Sequence, residues 1–304
     1  MKNLLKKLLK HKFIIFIDNF LYRIKSNNVF AISAQLSYFL FLSLFPFLIV
    51  FLNILSFVSI VRMDILYSFI QYLPLDVQNI ISNFIKDLAI DSSKGLLSIA
   101  AIAGIWTASA GVTPVIKAIN RAYDYEETRS YFKLKAISIV FTIALNLLLL
   151  LVFITLVLGE FIGKELFNFL GIAHIFVDIW SKTRLIIPVV FMIIIFALLY
   201  KYSPCLVHRK RVKLRRAIPG GLFTTFGWIL TSNIFSIYVT NSNKFSTTYG
   251  SLGGLIVLLI WLYISSIIIV LGGEFNATLE YFRKNNYKVD SKRSIIVKTL
   301  NKPS

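Results

Sequence analysis

Acidic residues are scarce in this chain: 14 Asp and Glu stand against 33 Lys and Arg in 304 residues, and all charged side chains together make up only 15%. A soluble domain carries about 25% charged and about 45–50% apolar residues. A chain that is 57% hydrophobic, with a mean hydropathy of +0.75, therefore cannot hide its apolar surface in one water-soluble core, which excludes a soluble enzyme and a disordered tail. Cysteine is nearly absent. The single Cys205 excludes a disulfide scaffold and a thiolate metal cluster, and reads as a lone thiol near a helix end. Histidine is as scarce, with only His11, His174 and His208. No HExxH, GxSxG or Walker loop occurs, and the acids are too few and scattered for a two-metal nuclease. The expectation is a protein with no catalytic residues, no metal and no cofactor.

What the chain has instead is long apolar runs. Windows able to cross a hydrocarbon core of about 30 Å need about 20 such residues. Six are found, at 29–60, 95–116, 136–159, 185–200, 217–240 and 249–277, and five of them hold no charge at all. The first has 32 residues, roughly 48 Å of helix, so it must tilt, protrude or bend at Pro46. Alternate segments outside the windows hold 26 Lys and Arg on one side (1–28, 117–135, 201–216 and 278–304) and 7 on the other. By the positive-inside rule both termini are cytoplasmic, as an even number of spans also requires. The predicted fold is all-α: an integral membrane bundle of six transmembrane helices, N-in and C-in. Residues 1–28 form a basic cytoplasmic arm, 29–277 the membrane domain and 278–304 a basic cytoplasmic tail.

Two segments read as helices lying on the membrane surface. Leu4, Leu5, Leu8 and Leu9 alternate with Lys6, Lys7, Lys10 and Lys12, a cationic amphipathic helix suited to the anionic lipids of the inner leaflet. The apolar run Phe13 to Ile17 is too short for a secretion signal. In the first external loop Val77, Ile80, Ile81, Phe84, Ile85 and Leu88 make a second stripe, and Phe161 to Trp180 a weaker one. The +19 charge is spread over four cytoplasmic edges rather than gathered with aromatics in one groove, so no nucleic-acid partner is expected. The expected partners are the lipid bilayer and its anionic inner-leaflet lipids, with a homo-oligomer and an unidentified small-molecule or ion substrate left open.

The sixth window contains the one intramembrane acid, Glu274, in Leu271-Gly272-Gly273-Glu274-Phe275-Asn276. Such a residue is costly to bury unpaired and is by default a functional candidate. The second helix brings Lys117 and Arg121 to the same depth, so Glu274 is expected either to pair with one of them or to reach interfacial water. Small residues mark packing faces: Gly250, Gly253 and Gly254, then Gly272 and Gly273, with Ser109 in the second helix and Pro219 and Gly220 near the start of the fifth. Tyr200, Tyr202, Tyr238, Tyr249 and Trp180 suit interfacial belts.

Several of these stretches recur in a known order. Ala34-Gln35-Leu36-Ser37-Tyr38 precedes Leu42-Ser43-Leu44-Phe45-Pro46. Trp106-Thr107-Ala108-Ser109 follows with Ala118-Ile119-Asn120-Arg121-Ala122-Tyr123, then Ile218-Pro219-Gly220, Thr248-Tyr249-Gly250-Ser251-Leu252-Gly253, and Leu271 to Ala277. Over residues 25–280 the chain resembles the YihY/virulence factor BrkB family of bacterial inner-membrane proteins. The resemblance implies a six-helix membrane protein of unestablished activity, in a family once labelled ribonuclease BN and linked to envelope resistance or transport. Mapped onto the topology, Gln35, Ser37, Tyr38, Asn120, Arg121, Pro219, Gly220, Glu274 and Asn276 all fall at one membrane level. They are expected to form either a polar pocket, with Glu274 as its charge, or a buried polar brace that fixes helix register. The leading function is the handling or transport of a small solute, ion or lipid, and the alternative is an envelope scaffold.

Overall fold

The structure, a computed structural model, describes residues 11–57, 94–153, 155, 186–205, 212–241, 253–285 and 293–300. Among the described residues there is no strand, and the helices are α1 (Lys12–Ser26), α2 (Val29–Phe57), α3 (Lys94–Ala122), α4 (Tyr131–Phe153), α5 (Ile186–Tyr202), α6 (Leu214–Asn241), α7 (Gly253–Lys284) and α8 (Ile295–Leu300). Four stretches are long and apolar enough to cross a membrane: Ile102–Ala122, Tyr131–Leu148, Leu214–Val239 and Gly253–Lys284. Val29–Ser43 and Ile186–Tyr202 are shorter apolar helices. The Leu4 to Leu9 pattern, the Val77 to Leu88 stripe, the segment 161–180 and Gly250 lie outside the described residues.

The helices outrun their apolar windows because the backbone ladder continues after the side chains turn polar. α7 extends to Lys284 with Arg283 and Lys284 in its last turn, and α3 ends on Arg121 and Ala122. Cations at these carboxyl ends complement the partial negative charge of the helix dipole.

α7 is the central helix, packed on α1, α2, α3, α5 and α6, while α3 also meets α2 and α4. The approach is close because glycine removes the side chains in between. A Cβ on Gly272 would lie 1.8 Å from Thr224 Oγ1 and 2.5 Å from the Tyr200 hydroxyl, and one on Gly220 would lie 2.8 Å from the Gly272 carbonyl. Into that space the Tyr200 hydroxyl fits, bonded to Thr224 Oγ1 at 2.6 Å and donating to the Ile269 carbonyl at 2.7 Å. Around it Leu36, Ile116, Ile119, Leu199 and Val270 are buried. Val140 and Leu147 of α4 and Leu222, Phe226, Leu230 and Ile237 of α6 face outward, the arrangement of helices whose solvent is apolar.

α1 is packed polar side inward. Asp18, Asn19 and Arg23 are buried together with Ile15, while Phe13, Ile17 and Leu21, four residues apart, form an exposed apolar stripe.

Candidate functional site: a buried charged cluster where α1 meets α7

The cluster is built on two tight turns. α1 ends at Asn27, whose N–H donates to the Arg23 carbonyl at 2.9 Å, and Asn28 takes φ 52°, a left-handed conformation that asparagine tolerates. The turn lets α2 leave at Val29 and aims the Asn27 side chain at α7. Asn27 Nδ2 donates to Glu274 Oε1 at 2.7 Å, with both residues buried. Glu274 is only 1% exposed, and its other oxygen, Oε2, is buried without a hydrogen-bond partner among the described residues.

One helical turn before Asn27, Arg23 is 3% exposed. Its Nε donates to Asn19 Oδ1 at 3.0 Å, Nη1 donates to the Ala122 carbonyl at the end of α3, and the guanidinium lies 5.3 Å from the centre of the Tyr281 ring. Nη2 has no hydrogen-bond partner among the described residues, and the carboxylate oxygen paired with it, Asp124 Oδ2, is 3.8 Å away. Burial pulls the guanidinium below its ordinary value while Asp124 and Glu274 oppose that pull. An arginine in such surroundings stays a cation. Asp124 itself sits on the second tight turn, at φ 59°, just past α3.

Two further knots flank this cluster. Asn276, two residues after Glu274, is spent on backbone: Oδ1 accepts from the Gly220 N–H at 3.0 Å and Nδ2 donates to the Ala217 carbonyl at 3.1 Å. These contacts straddle Pro219, whose ring removes a donor from the first turns of α6. Asn120 bonds Glu127 through Nδ2 and accepts from the Cys205 N–H at 2.5 Å. Arg129 joins in, holding Glu127 Oε1 through Nε at 2.6 Å and the Ser203 carbonyl through Nη2 at 2.7 Å. Burial works to raise the Glu127 carboxyl, but the hydrogen bonds from Arg129 outweigh it and hold the group below its ordinary value.

The partner of Glu274 is a correction to the sequence reading. Lys117 and Arg121, four residues apart, lie on the exposed stripe of α3, whereas Ile116, Ile119 and Asn120 face inward, and Asn27 holds the carboxylate instead. Gln35 is exposed and Tyr38 is 57% exposed, because the inward phase of α2 runs through Val29, Ser33 and Leu36. Ser37 is buried, donating to the Ala34 carbonyl at 2.8 Å. Glu274, Asn276 and Asn120 are all buried, but each serves a different knot. Of the packing residues, Ser109, Gly220, Gly253, Gly272 and Gly273 are buried, and Pro219 and Gly254 are half-buried. Arg23, Asn27, Asp124 and Tyr281 were not singled out from sequence. The signal available was the pair Asn27-Asn28 directly before an apolar run, a helix-breaking turn.

Among the described residues no group of three or more His, Cys, Asp or Glu is placed to hold a metal ion. The class defined by the fold and the cluster is a helical membrane protein carrying a buried glutamate and a buried arginine in its helical bundle. The particular family follows from comparison: the family described as virulence factor BrkB matches residues 20–295, and the chain belongs to it. It is similar to the putative ribonuclease-like protein YfkH of Bacillus subtilis, at 38% identity over 83% of this chain and 90% of that protein. It is also similar to UPF0761 membrane proteins of Pseudoalteromonas atlantica, at 26% identity over 88% of this chain and 87% of the relative, and of Psychromonas ingrahamii, at 27% identity over 86% of each. No solved structure matches.

Proposed function

We propose that the chain spans the bacterial inner membrane six times, with both termini in the cytoplasm, and that it binds and moves a small polar or charged solute through the cluster around Glu274. The lopsided Lys and Arg distribution supports the orientation. In the same frame α1 lies along the inner surface, with Phe13, Ile17 and Leu21 in the lipid and its polar side on the protein. The observation that carries the solute reading is the pair of buried, opposite, incompletely satisfied groups, Glu274 Oε2 and Arg23 Nη2. A purely structural polar network satisfies its members, because a buried unpaired donor or acceptor costs about 1–3 kcal/mol and more if charged. Groups left open this way are suited to a ligand that supplies the missing contacts.

An envelope scaffold is the competing reading, and the binding of both ends of the Asn276 amide to the α6 backbone is the observation that favours it. Solute flux into proteoliposomes separates the two. For Glu274→Gln, normal membrane accumulation with flux reduced about tenfold or more, the scale of one charged hydrogen bond, supports the solute site. Normal accumulation with unchanged flux rejects the site. The name of the Bacillus relative raises ribonuclease activity; purified protein incubated with RNA tests it, and we expect no cleavage.

A further inference from the structure

The described end of the chain, residues 293–300, folds back onto α1 and onto the turn after α3 that carries Asp124. Asp18 on α1 accepts hydrogen bonds from the backbone N–H groups of Ile295 and Ile296, at 3.0 and 3.1 Å through Oδ1, and Asn19 Nδ2 donates to the Arg293 carbonyl at 3.2 Å. Arg293 Nη1 donates to Asp124 Oδ2 at 2.6 Å. Its guanidinium lies 5.1 Å from the centre of the Tyr281 ring, the same ring that Arg23 approaches at 5.3 Å. Asp18 and Asn19 are buried, so this docking is integral to the packing of α1 rather than a surface touch.

The two arginines compete for one oxygen. Asp124 Oδ2 is bonded to Arg293 and stands 3.8 Å from Arg23 Nη2, too far for a hydrogen bond. Asp124 is 48% exposed and able to turn, whereas Arg23 is anchored through Asn19 and Ala122. With the tail docked, Arg293 holds Asp124 by a hydrogen bond, and Asp124 offsets the charge of Arg23 only across the longer 3.8 Å gap. With the tail released, Asp124 is free to close the short gap to Arg23 and satisfy it.

We propose that residues 293–300 are a cytoplasmic latch that regulates the Glu274 site by deciding, through Arg293, whether Asp124 neutralises Arg23. This rests on Glu274 being the working site of the protein. Latch and site are then linked, so each must feel a change at the other. The Glu274 carboxylate accepts from Asn27 and its backbone carbonyl from the Thr278 hydroxyl, both away from the tail. Removing its charge nonetheless leaves Arg23 with one fewer anion, draws it toward Asp124, and weakens the hold of Arg293.

The test is hydrogen exchange on the full-length protein in nanodiscs, reading the backbone amides of 293–300. Arg293→Ala breaks the latch directly and is expected to speed exchange there. Glu274→Gln is expected to speed it too, by about threefold or more, the scale of coupling within a charged network. In an Asp124→Asn background that effect of Glu274→Gln should vanish. If Glu274→Gln leaves exchange unchanged while Arg293→Ala speeds it, the tail is a passive dock and the proposal fails. Should Glu274→Gln not accumulate, Arg23→Lys takes its place: the shorter cation competes less for Asp124, so exchange should slow, whereas a merely structural role for Arg23 would make it faster. A wild-type protein that moves no solute would sink the transport reading while leaving this coupling measurable, since exchange reads the latch without flux.

Discussion

Glu274 and Asn276 stand two residues apart on α7 and use their side chains in opposite ways. Asn276 gives both ends of its amide to the backbone of α6, spanning Pro219. Glu274 gives one oxygen to Asn27 and keeps the other buried, without a hydrogen-bond partner among the described residues. The two positions should therefore fail differently. Asn276→Ala strands a buried N–H and a carbonyl, and is expected to lower stability in detergent by about 1–3 kcal/mol, read as a drop in melting temperature without selective loss of solute handling. Asn27→Ala should act like a weaker Glu274→Gln: the carboxylate loses the Asn27 donor, so flux falls while the melting temperature moves less than for Asn276→Ala.

At the scale of elements, the α6–α7 contact depends on glycine for its distance. A methyl on Gly272 would run into Thr224 Oγ1 and the Tyr200 hydroxyl, both fixed by their own hydrogen bond to each other. Gly272→Ala should thus destabilise the protein by about 1–3 kcal/mol, the usual scale of overpacking, and combining it with Thr224→Ala and Tyr200→Phe should recover part of the loss by removing both obstructing oxygens. The link between α3 and α4 is held to the end of α5 through Glu127 and Arg129 and responds to pH instead. A carboxyl held below its ordinary value contributes stability at every pH above its unfolded value and loses it only as pH falls through the lowered folded value. Glu127→Gln should therefore reduce melting temperature at neutral pH, and the difference from wild type should close only on acidification below the usual carboxylate range. The packing elements were visible in the sequence as small-residue stretches, because glycine at a close approach has no substitute. The α3–α4 lock was not visible, because Glu127 and Arg129 are ordinary loop residues until Cys205 and Ser203 are brought beside them.

For the whole molecule, orientation is the testable quantity. In a Cys205→Ser background, a cysteine placed at Lys201 or Lys213 should react with a membrane-impermeant maleimide only after the inner face is opened; labelling in intact cells from the periplasm would reverse the topology and the proposed cytoplasmic latch with it. Much at this scale was legible before any coordinates: the apolar windows at 95–116, 136–159, 217–240 and 249–277 overlap the long apolar helices Ile102–Ala122, Tyr131–Leu148, Leu214–Val239 and Gly253–Lys284, because lipid offers the backbone no hydrogen bonds, so the helix must satisfy itself. Glu274 was legible for the same reason, as a lone acid in an apolar run. Its partner was not. Choosing among Lys117, Arg121 and Asn27 depends on the rotational phase of α3 and on a turn at Asn27-Asn28 that folds α1 back against α7. The convergence of residues 18, 23, 124, 281 and 293 brings together parts of the chain up to 275 positions apart. Composition and hydropathy determined by themselves that the chain is a helical membrane protein, since those are sums over local solvent preference. Which charges meet inside it was decided only by tertiary packing, because a contact depends on where two helices cross, and no local preference encodes that.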